Sequence, residues 1–523
     1  VMSQTTIGTT TDMDGNFTLK GVPSDAHALV FSFVGMQEKE VAINGRTSIN
    51  VKLAPSVQEM EEVVVTAIGV KKESKKLGYS VTNVSADDVT KTQTNDALSS
   101  LQGKVAGVEI SSSSGQPTAS NNVVIRGYSS VTGNNQPLYV VDGTPINNSS
   151  NAASSNLNNQ IDFGNGANAI DPANIENISI LKGAAATALY GSRAANGVVM
   201  ITTKSGQTGQ ELKVDFSSSA TFSEPLRITQ QQNIYGQGWS GDWASNENGS
   251  WGPRMDGKVR LWGNVVDNSQ LLKPFEAQED NLRDFFEVGQ NYKNSISIRG
   301  GNENSTFYAS YGNTNNDAFI PTDSDSYDRH AINLKGSTAG ENFKINGSIN
   351  YIKRLASAVA AGQGGDAATL MQDIMQIPRD FSIVDMNDYE GKFYNVNNFY
   401  TPYASNPYFI INENGNELDE DRIFGNINLN YQLTDDLDIN WKIGQDARNN
   451  RVKIWNAIAI PSDDSPNSTK QDVPGQTIER VTHRRETNSD LTLNYSKELS
   501  SDLELDVLAG WNANERYFKR ENA

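Results

Sequence analysis

Histidine and carboxylate side chains are the residues of this 523-residue chain that could carry out catalysis, and their spacing argues against it. The three histidines, His27, His330 and His483, fall in separate stretches, so no HExxH or paired-histidine zinc motif exists. The absence of Cys excludes a thiolate metal site, a Cys nucleophile and a disulfide framework. No GxSxG or Walker sequence occurs either. The sequence therefore predicts a protein that is not an enzyme.

Aromatic and amide side chains suggest a binding role instead. A long polar stretch, residues 223–290, carries four tryptophans: Trp239, Trp243, Trp251 and Trp262. Indole rings can stack on the C–H faces of sugars, while amides and hydroxyls hydrogen-bond sugar hydroxyls. We therefore name as candidate substrate-binding residues these tryptophans together with Ser129, Asn134 and Asn135. The alternative is that the tryptophans pack the loop onto itself or anchor it at a membrane interface, and that the polar loops are simply solvated.

Composition and charge exclude further classes. A net charge of −19 argues against nucleic-acid binding, which needs clustered Lys and Arg. No apolar run approaches the roughly 18–20 residues of a transmembrane helix. Aromatic residues make up 8% of the chain and lie in short alternating segments, which argues against disorder. These features are typical of a β-rich protein with long polar loops.

Four regions with different patterns follow one another along the chain. The first alternates with a period of two around Asp14-Gly15 and Asn44-Gly45, which favours hairpin turns and a small β-sandwich. The second is a short β-prone tether, and the third reads as mixed α/β, with a helix predicted over Ala86–Val105. The chain opens inside a strand–turn–strand pattern, so we expect a signal and the first strands to precede it. The predicted boundaries are 1–55, 56–76, 77–206 and 207–523.

The fourth region predicts a transmembrane antiparallel β-barrel. Nine segments of about ten residues alternate between an apolar and a polar face. In one of them, Ile345 and Ile349 alternate with Lys344, Asn346 and Asn350. Soluble sandwiches show the same alternation, but here short turns and long connections also alternate, as they do when turns lie on one side of a membrane and loops on the other.

Several motifs in a fixed order resemble the SusC/RagA-type TonB-dependent transporters of Bacteroidota outer membranes. The most specific stretches are EVVVTA at 62–67, LQGKVAGV at 101–108, IRG at 125–127, PLYVVDG at 137–143, and ILKG at 180–183 followed by LYGSRAANG at 189–197. The N-terminal region is similar to the carboxypeptidase-D regulatory-like domain that precedes this plug. A weaker likeness in the barrel is Trp251-Gly252-Pro253-Arg254.

The resemblance implies energised import of large nutrients, commonly oligosaccharides and in some members peptides. It implies an integral protein of the outer membrane, TonB as the energy partner, and a SusD-type surface lipoprotein as the lid. Plugged barrels need about 22 strands, so nine strands indicate an N-terminal fragment. On this basis the TonB-binding residues are Glu62, Val63, Val64, Val65, Thr66 and Ala67.

Three basic plug residues, Arg126, Lys182 and Arg193, could couple the plug to the barrel wall through carboxylates. Local ion pairs within the plug are the alternative. No cofactor is expected, although calcium could bind in extracellular loops such as Asn412–Asp421. A peptide importer of the same fold and a surface adhesin or sensor without transport are the rival functions.

Overall fold

The computed structural model describes residues 8–12, 15–23, 27–32, 39–53, 63–65, 71–73, 81–91, 94–150, 161–183, 187, 190–360, 369–500 and 503–523. The chain divides into two compact units, Val1–Ser80 and Val81–Ala523. Strands outnumber helices throughout these ranges, which confirms the prediction of a mainly β protein. None of the helices in the described part is long and apolar enough to cross a membrane.

The first unit contains two small antiparallel pairs. Strand β1 (Ala28–Phe31) pairs with β2 (Lys39–Ala42), and β3 (Val63–Val65) pairs with β4 (Lys71–Glu73). Asn44 and Gly45 both have positive φ, 44° and 71°, as a type I′ turn requires. Of the predicted sandwich, the described residues before position 54 show only the β1–β2 pair.

Residues 81–203, called the plug below, are built on a mixed five-stranded sheet. Its order is β5-β10-β11-β8-β9, with β8 and β11 parallel and the other neighbours antiparallel. A separate hairpin joins β6 to β7. The strands of the plug are β5 (Val81–Ser85), β6 (Val108–Ser112), β7 (Asn121–Ile125), β8 (Leu138–Val141), β9 (Thr144–Ile146), β10 (Ile175–Leu181) and β11 (Val198–Thr203). Alternate apolar residues of β10 and β11 form the centre of the plug core, where Ile178, Ile180 and Val199 are fully buried.

The predicted helix over Ala86–Val105 is wrong in its extent. The structure has a short helix α1 (Ala86–Thr90) and, separately, one 3₁₀ turn at Ser99–Leu101. The Asp96 carboxylate accepts hydrogen bonds from the backbone N–H groups of Leu98 and Ser99, both at 2.9 Å. An Asp that binds the backbone in this way begins a new turn and does not continue a helix.

The second compact unit, Val81–Ala523, also contains a nine-stranded antiparallel sheet, called the wall below. Its order is β12-β15-β16-β17-β18-β19-β20-β21-β22. The strands are β12 (Lys213–Ser223), β15 (Gly289–Gly301), β16 (Ser305–Asp317), β17 (Ser326–Ala339), β18 (Phe343–Ser357), β19 (Gly415–Thr434), β20 (Leu437–Asn456), β21 (Gln476–Ser500) and β22 (Leu503–Asn522). The predicted number of barrel strands is thus present.

Short turns join the strands at one end of the wall, the turn end, and long connections join them at the other, the loop end. This alternation was predicted, but the strands are longer than the expected ten residues, reaching 25 in β21. Each long strand continues past its alternating apolar segment toward the loop end. In this extension charged residues lie on both faces of the sheet, so the alternation that predicts a strand is absent there. The long connections hold β13 (Val259–Val266), β14 (Ser269–Pro274), α2 (Asn281–Phe285), α3 (Leu370–Met375) and α4 (Pro407–Glu413).

The two faces of the wall have opposite surroundings. Residues of one parity, such as Asn350, are buried against the plug, and this side is called the inner face. Residues of the other parity form the outer face, where Ile345 and Ile349 are exposed. The predicted alternation along β18 is therefore present in the structure.

Candidate functional site

The site that can be built from the described residues is the contact between the plug and the inner face of the wall. In this contact Arg422 of β19 has a fully buried side chain, and all three of its guanidinium nitrogens have hydrogen-bond partners. Arg422 Nε and Nη2 donate to the two carboxylate oxygens of Asp446 on β20, each at 2.8 Å. Its remaining N–H groups donate to plug carbonyls, at 2.6 Å to Gly166 and 3.0 Å to Asn147. Because a two-point pair of this kind is charge-assisted and directional, it fixes where the plug backbone meets the wall.

Two further features tighten this contact. Asp446 also accepts the backbone N–H of Asn147, at 2.8 Å. A Cβ atom at Gly166 would lie 2.0 Å from the Asn147 carbonyl oxygen, so only glycine allows the two plug segments to approach Arg422 together.

A second contact is centred on Asp142, the residue after β8. Its carboxylate accepts the backbone N–H and the hydroxyl of Thr203, at 3.0 and 2.6 Å. Lys335 of β17 donates to the same carboxylate at 2.8 Å and to the Thr203 carbonyl at 3.0 Å. Nearby, Lys442 of β20 donates to the Gly143 carbonyl at 2.8 Å. The turn that ends the PLYVVDG stretch is therefore held by two lysines of the wall.

A third contact uses Asp171 and Asn174 at the start of β10. Asp171 caps the 3₁₀ turn at Pro172–Asn174 and also lies 3.2 Å from Arg329 of β17. Asn174 accepts hydrogen bonds from the hydroxyls of Tyr308 and Ser310 on β16, at 3.0 and 2.6 Å. The turn thus contacts two neighbouring strands of the wall.

The wall residues in these contacts were missed in the sequence, although a signal was present. Arginines occupy polar-face positions of successive strands: Arg329 opposite Arg354, then Arg422 opposite Arg448, which is itself opposite Arg484. Arg354 and Arg448 lie 3.1 and 3.8 Å from the buried Glu420 carboxylate. Basic residues at that parity, in a chain with net charge −19, could have indicated an inner face that binds plug carbonyls and carboxylates.

Of the three predicted coupling residues, one contacts the wall. Arg193 Nη1 lies 2.7 Å from the Glu486 carboxylate of β21. Burial lowers the pKa of the Arg193 guanidinium below its ordinary value, although Glu486 acts in the opposite direction. Lys182 instead donates to the Ala106 carbonyl inside the plug, at 2.7 Å. Arg126 also lies within the plug, with its guanidinium beside Gly183. Lys182 and Arg126 thus have neighbours inside the plug, and among the described residues neither forms the local ion pair that was the alternative.

The predicted TonB-binding residues are described in part. Val63, Val64 and Val65 form β3, with Val64 opposite Lys72 of β4. Glu62, Thr66 and Ala67 lie outside the described residues. The described part of the segment is extended, and its role in binding TonB stays a prediction.

The four predicted tryptophans have different surroundings in the structure. Trp262 lies in the apolar cluster of the loop end, 4.6 Å from the Phe381 ring and with Lys273 Nζ 5.3 Å from its centroid. Burial lowers the pKa of Lys273 to about 8. The other three, Trp239, Trp243 and Trp251, are exposed, and Trp251 lies near the Tyr235 ring. Trp262 therefore packs the loop, which was the alternative reading for this group.

The predicted polar plug residues lie in one hydrogen-bonded loop. The Asn135 side chain accepts the backbone N–H groups of Ser129 and Ser130, both at 2.9 Å. Asn134 lines a cavity of about 620 Å³ between the plug and β22. A second cavity, of about 820 Å³, lies nearer the loop end, and Ser150 of the plug lines both.

In the part of the chain that the structure describes, no three His, Asp or Glu side chains lie close enough together to hold a metal ion. In the segment predicted for calcium, Asn412 donates to the Tyr408 carbonyl, and residues from Gly415 onward belong to β19. Whether calcium binds there stays a prediction.

Comparison with known proteins finds matches to two domain families. Residues 73–198 match the TonB-dependent Receptor Plug Domain family, and residues 1–65 match the CarboxypepD_reg-like domain family. The chain is 30% identical to the TonB-dependent receptor SusC of Bacteroides thetaiotaomicron over 451 residues, which is 83% of this chain and 41% of SusC. It is 27% identical to the TonB-dependent receptor P26 of Formosa agariphila, over 98% of this chain and 47% of P26.

Solved structures show the same fold. A chain of the RagAB peptide importer in its open-open state matches with a TM-score of 0.64 and 20% identity, over 88% of this chain and 53% of that one. The chain thus spans about half the length of the proteins it matches, or less. Plug, wall and relatives together place it in one family: the chain belongs to the SusC/RagA-type TonB-dependent receptors of the bacterial outer membrane.

Proposed function

We propose that this chain takes part in TonB-dependent import of large nutrients, with oligosaccharides as the cargo. In this proposal TonB supplies the energy, and a SusD-type lipoprotein covers the loop end, which faces the outside of the cell. The choice of oligosaccharides rests on the family resemblance of the sequence, which implies oligosaccharides more commonly than peptides. The RagAB structure is that of a peptide importer, so peptide import is the second candidate.

The observation that carries the proposal is the nature of the plug–wall contact. The plug packs against apolar wall residues, as Phe163 does near Leu418, and is also held by discrete, directional hydrogen bonds, such as those of Arg422 to the carbonyls of Asn147 and Gly166. Groups of this kind can exchange the protein partner for water when the plug moves, so the net cost of each break is small compared with exposing an apolar core. This hydrogen-bonded part of the interface suits a plug that is displaced and returns.

Force must reach the plug through an extended segment. In β3, Val63–Val65 is extended and is paired along one edge with β4. Strand addition by TonB would load several backbone hydrogen bonds at once. Proline at Val64 would remove one N–H and fix φ, which interrupts such a ladder.

The test is uptake and binding by the full-length Val64→Pro receptor at matched outer-membrane levels. We expect energised uptake to be lost, while the equilibrium affinity for substrate stays within about twofold, because the binding face does not include this segment. The control is Val64→Thr, which keeps the N–H and a β-branched side chain and should import normally. Wild-type uptake by the proline variant would contradict the mechanism.

The same experiment separates the rivals. A surface adhesin or sensor predicts no energised uptake in the wild type and no change on Val64→Pro. A peptide importer predicts uptake that acidic or neutral peptides compete for and oligosaccharides do not. The relatives are receptors and transporters, and no catalytic step enters the proposal.

The remaining parts of the proposal are the domain limits and calcium. We assign a regulatory-like domain to 1–55, a tether to 56–76, a plug domain to 77–206 and a partial barrel domain to 207–523. Calcium bound by loops such as Asn412–Asp421 would be seen as calcium-dependent protection of that segment in hydrogen exchange.

A further inference from the structure

Two charged side chains at the loop end meet at one serine. Asp373 of α3 is 1% exposed, and Lys470, in the connection between β20 and β21, is partly buried beside it. The Asp373 carboxylate accepts the backbone N–H of Ser405 at 2.8 Å. Lys470 Nζ donates to the Ser405 hydroxyl at 2.9 Å and to the Ala404 carbonyl at 2.7 Å. In the described ranges no direct ion pair joins the two charges, so each depends on other groups for its hydrogen bonds.

Both charged groups keep some hydrogen-bonding capacity. Asp373 Oδ1 is buried and accepts no hydrogen bond from the residues that the structure describes. A lysine ammonium has three N–H donors, and two partners are present for that of Lys470. A buried polar group without a partner loses its hydration and gains nothing in return. A ligand that donates to Asp373 and accepts from Lys470 would remove this penalty, so its binding is favoured.

Asp373 and Lys470 line a cavity of about 200 Å³, called the side cavity below. Every lining residue that the structure describes falls between positions 372 and 473, so the side cavity belongs to the connections around β19 and β20 and lies away from the edge strand β22. It shares Ile410, Asn414 and Asn456 with the cavity of about 820 Å³, which reaches the plug at Ser150. The side cavity is therefore a branch of that larger cavity.

The lining of the side cavity indicates the class of ligand. Among its described lining residues, Asp373 and Lys470 are the charged ones, so the side cavity has no net formal charge. Amides such as those of Asn414 and Asn456 supply further polar groups. Tyr403 also lines it, and because this side chain is 60% exposed, its ring is open to an entering ligand. A neutral sugar ring suits this lining, since its hydroxyls both donate and accept while its C–H face can stack on an aromatic ring.

We propose that the side cavity binds one neutral pyranose unit of an oligosaccharide, whose hydroxyls donate to Asp373 and accept from Lys470. The inference rests on the proposed function, because it takes an oligosaccharide as the cargo, and it adds a binding site and the charge class of one sugar unit. The side cavity is smaller than ordinary ligand pockets of about 300–1,000 Å³. One ring therefore enters it, and the rest of the oligosaccharide stays in the larger cavity.

The first measurement uses the unaltered full-length receptor with its lipoprotein partner. The probes are four neutral hexasaccharides, built from glucose, galactose, mannose or xylose. We expect at least one to bind and to slow hydrogen exchange in α3 and in residues 467–473, because the bound ring bridges Asp373 and Lys470. Exchange in the β13–β14 hairpin, whose residues do not line the side cavity, is the internal control and should stay unchanged.

Variants then assign the binding to the two charges. Asp373→Asn and Lys470→Gln should each weaken the best hexasaccharide by about tenfold or more. The double variant should lose little beyond the worse single variant, because both side chains bind the same sugar unit. The matched control is Lys392→Gln, since Lys392 is a loop-end cation that pairs with Asp267 at 3.4 Å and does not line the side cavity. That variant should bind the probe as the wild type does.

Several results would overturn the inference. These are binding of a hexasaccharide without slower exchange in α3, a full additive loss in the double variant, and tighter binding of the 6-carboxylate form of the same sugar or of hexaalanine. Energised uptake of the neutral probe that neither substitution changes would remove the side cavity and leave the proposed function intact. Binding that depends on Asp373 and Lys470 without energised uptake would support the site and remove the proposed function.

Discussion

The inner and outer faces of the wall are made by neighbouring residues of the same strands, yet their compositions are opposite. Arg422 is fully buried on the inner face, while Ile423, the next residue, is 51% exposed on the outer face. Arg354 and Leu355 repeat the contrast on β18. In a soluble protein the arginine would be outside and the isoleucine inside. The difference shows that the partner of each face, lipid outside and a hydrogen-bonding plug inside, decides which residue type is stable there.

The largest effect is expected for removal of the central inner-face arginine. Arg422→Met would leave the Asp446 carboxylate buried without its partner, which should cost about 3–5 kcal/mol in the plug–wall interaction. Hydrogen exchange of the Asn147 backbone amide, which Asp446 accepts, measures this as faster opening. Adding Asp446→Asn should restore part of the loss, because no unpaired charge remains. Unchanged exchange in the single variant would show that the contact does not hold the plug.

On the outer face the introduction of a charged side chain should be destabilising, whereas on the inner face its removal is. Ile349→Arg places a cation where the apolar band of the wall faces lipid and should cost about 2–4 kcal/mol if the residue lies near the midplane. The measurement is equilibrium folding of the full-length receptor into lipid vesicles. Leu355→Arg, on the same face of β18 but nearer the loop end, is the control and should cost less. A reversed order would mean that the membrane band is placed wrongly along the strand.

A smaller effect is expected of pH on the stability of the folded loops at the loop end. Burial raises the pKa of Asp373 to about 7, above its ordinary value of 3.8. The folded loop therefore binds a proton more tightly than the open loop, so its stability should fall as pH rises from about 4 to about 7. Burial lowers the pKa of the neighbouring Lys470 to about 8, which acts in a separate, higher window.

The corresponding measurement is hydrogen exchange of α3 at pH 5 and pH 8, corrected for the intrinsic rate. We expect the opening free energy to drop by at least about 1 kcal/mol, given roughly 1.4 kcal/mol per pKa unit. Asp373→Asn cannot titrate and should flatten the dependence. A drop of the same size in that variant would assign the effect to other groups.

The smallest effect is expected for charged pairs on the outer face near the loop end. Lys353 pairs with Asp419 and, at 3.0 Å, with Asp421, and all three side chains are partly exposed. Lys353→Ala should therefore cost about 0–1 kcal/mol, and less at high salt. The neighbouring inner-face variant Arg354→Met, measured by the same vesicle folding assay, should cost clearly more. Similar costs for the two would remove the distinction between the faces.

Much of the fold could be predicted because its signals are local. The alternation along β18 and the succession of short turns and long connections both follow from which residues tolerate a turn or an exposed strand. The helix over Ala86–Val105 failed because one side chain, Asp96, binds the backbone and begins a new turn. The loop-end extensions of the strands were missed because charged pairs across strands replace the apolar alternation there.

The candidate site was predictable only in its general location. The motifs around Asp142 and Arg193 lie in the plug–wall contact, yet Lys182 and Arg126, chosen by the same reasoning, turned inward to plug neighbours. A basic side chain beside a glycine can bind any nearby carbonyl, and the sequence does not say which one is near. Trp262 packs in the loop core, while the other three predicted tryptophans are exposed. The sequence likewise does not say which indole ring has apolar neighbours.

The sequence by itself determined which face of each wall strand is polar, because side chains alternate along any extended chain. It also determined the order of the regulatory-like unit, tether, plug and wall, because each has a pattern or motif of its own. Only the tertiary structure decided which partner each buried charge meets. Arg422 binds the carbonyl of Asn147, which is 275 residues away along the chain. That choice depends on how the plug backbone fits against the wall, and no local pattern encodes it.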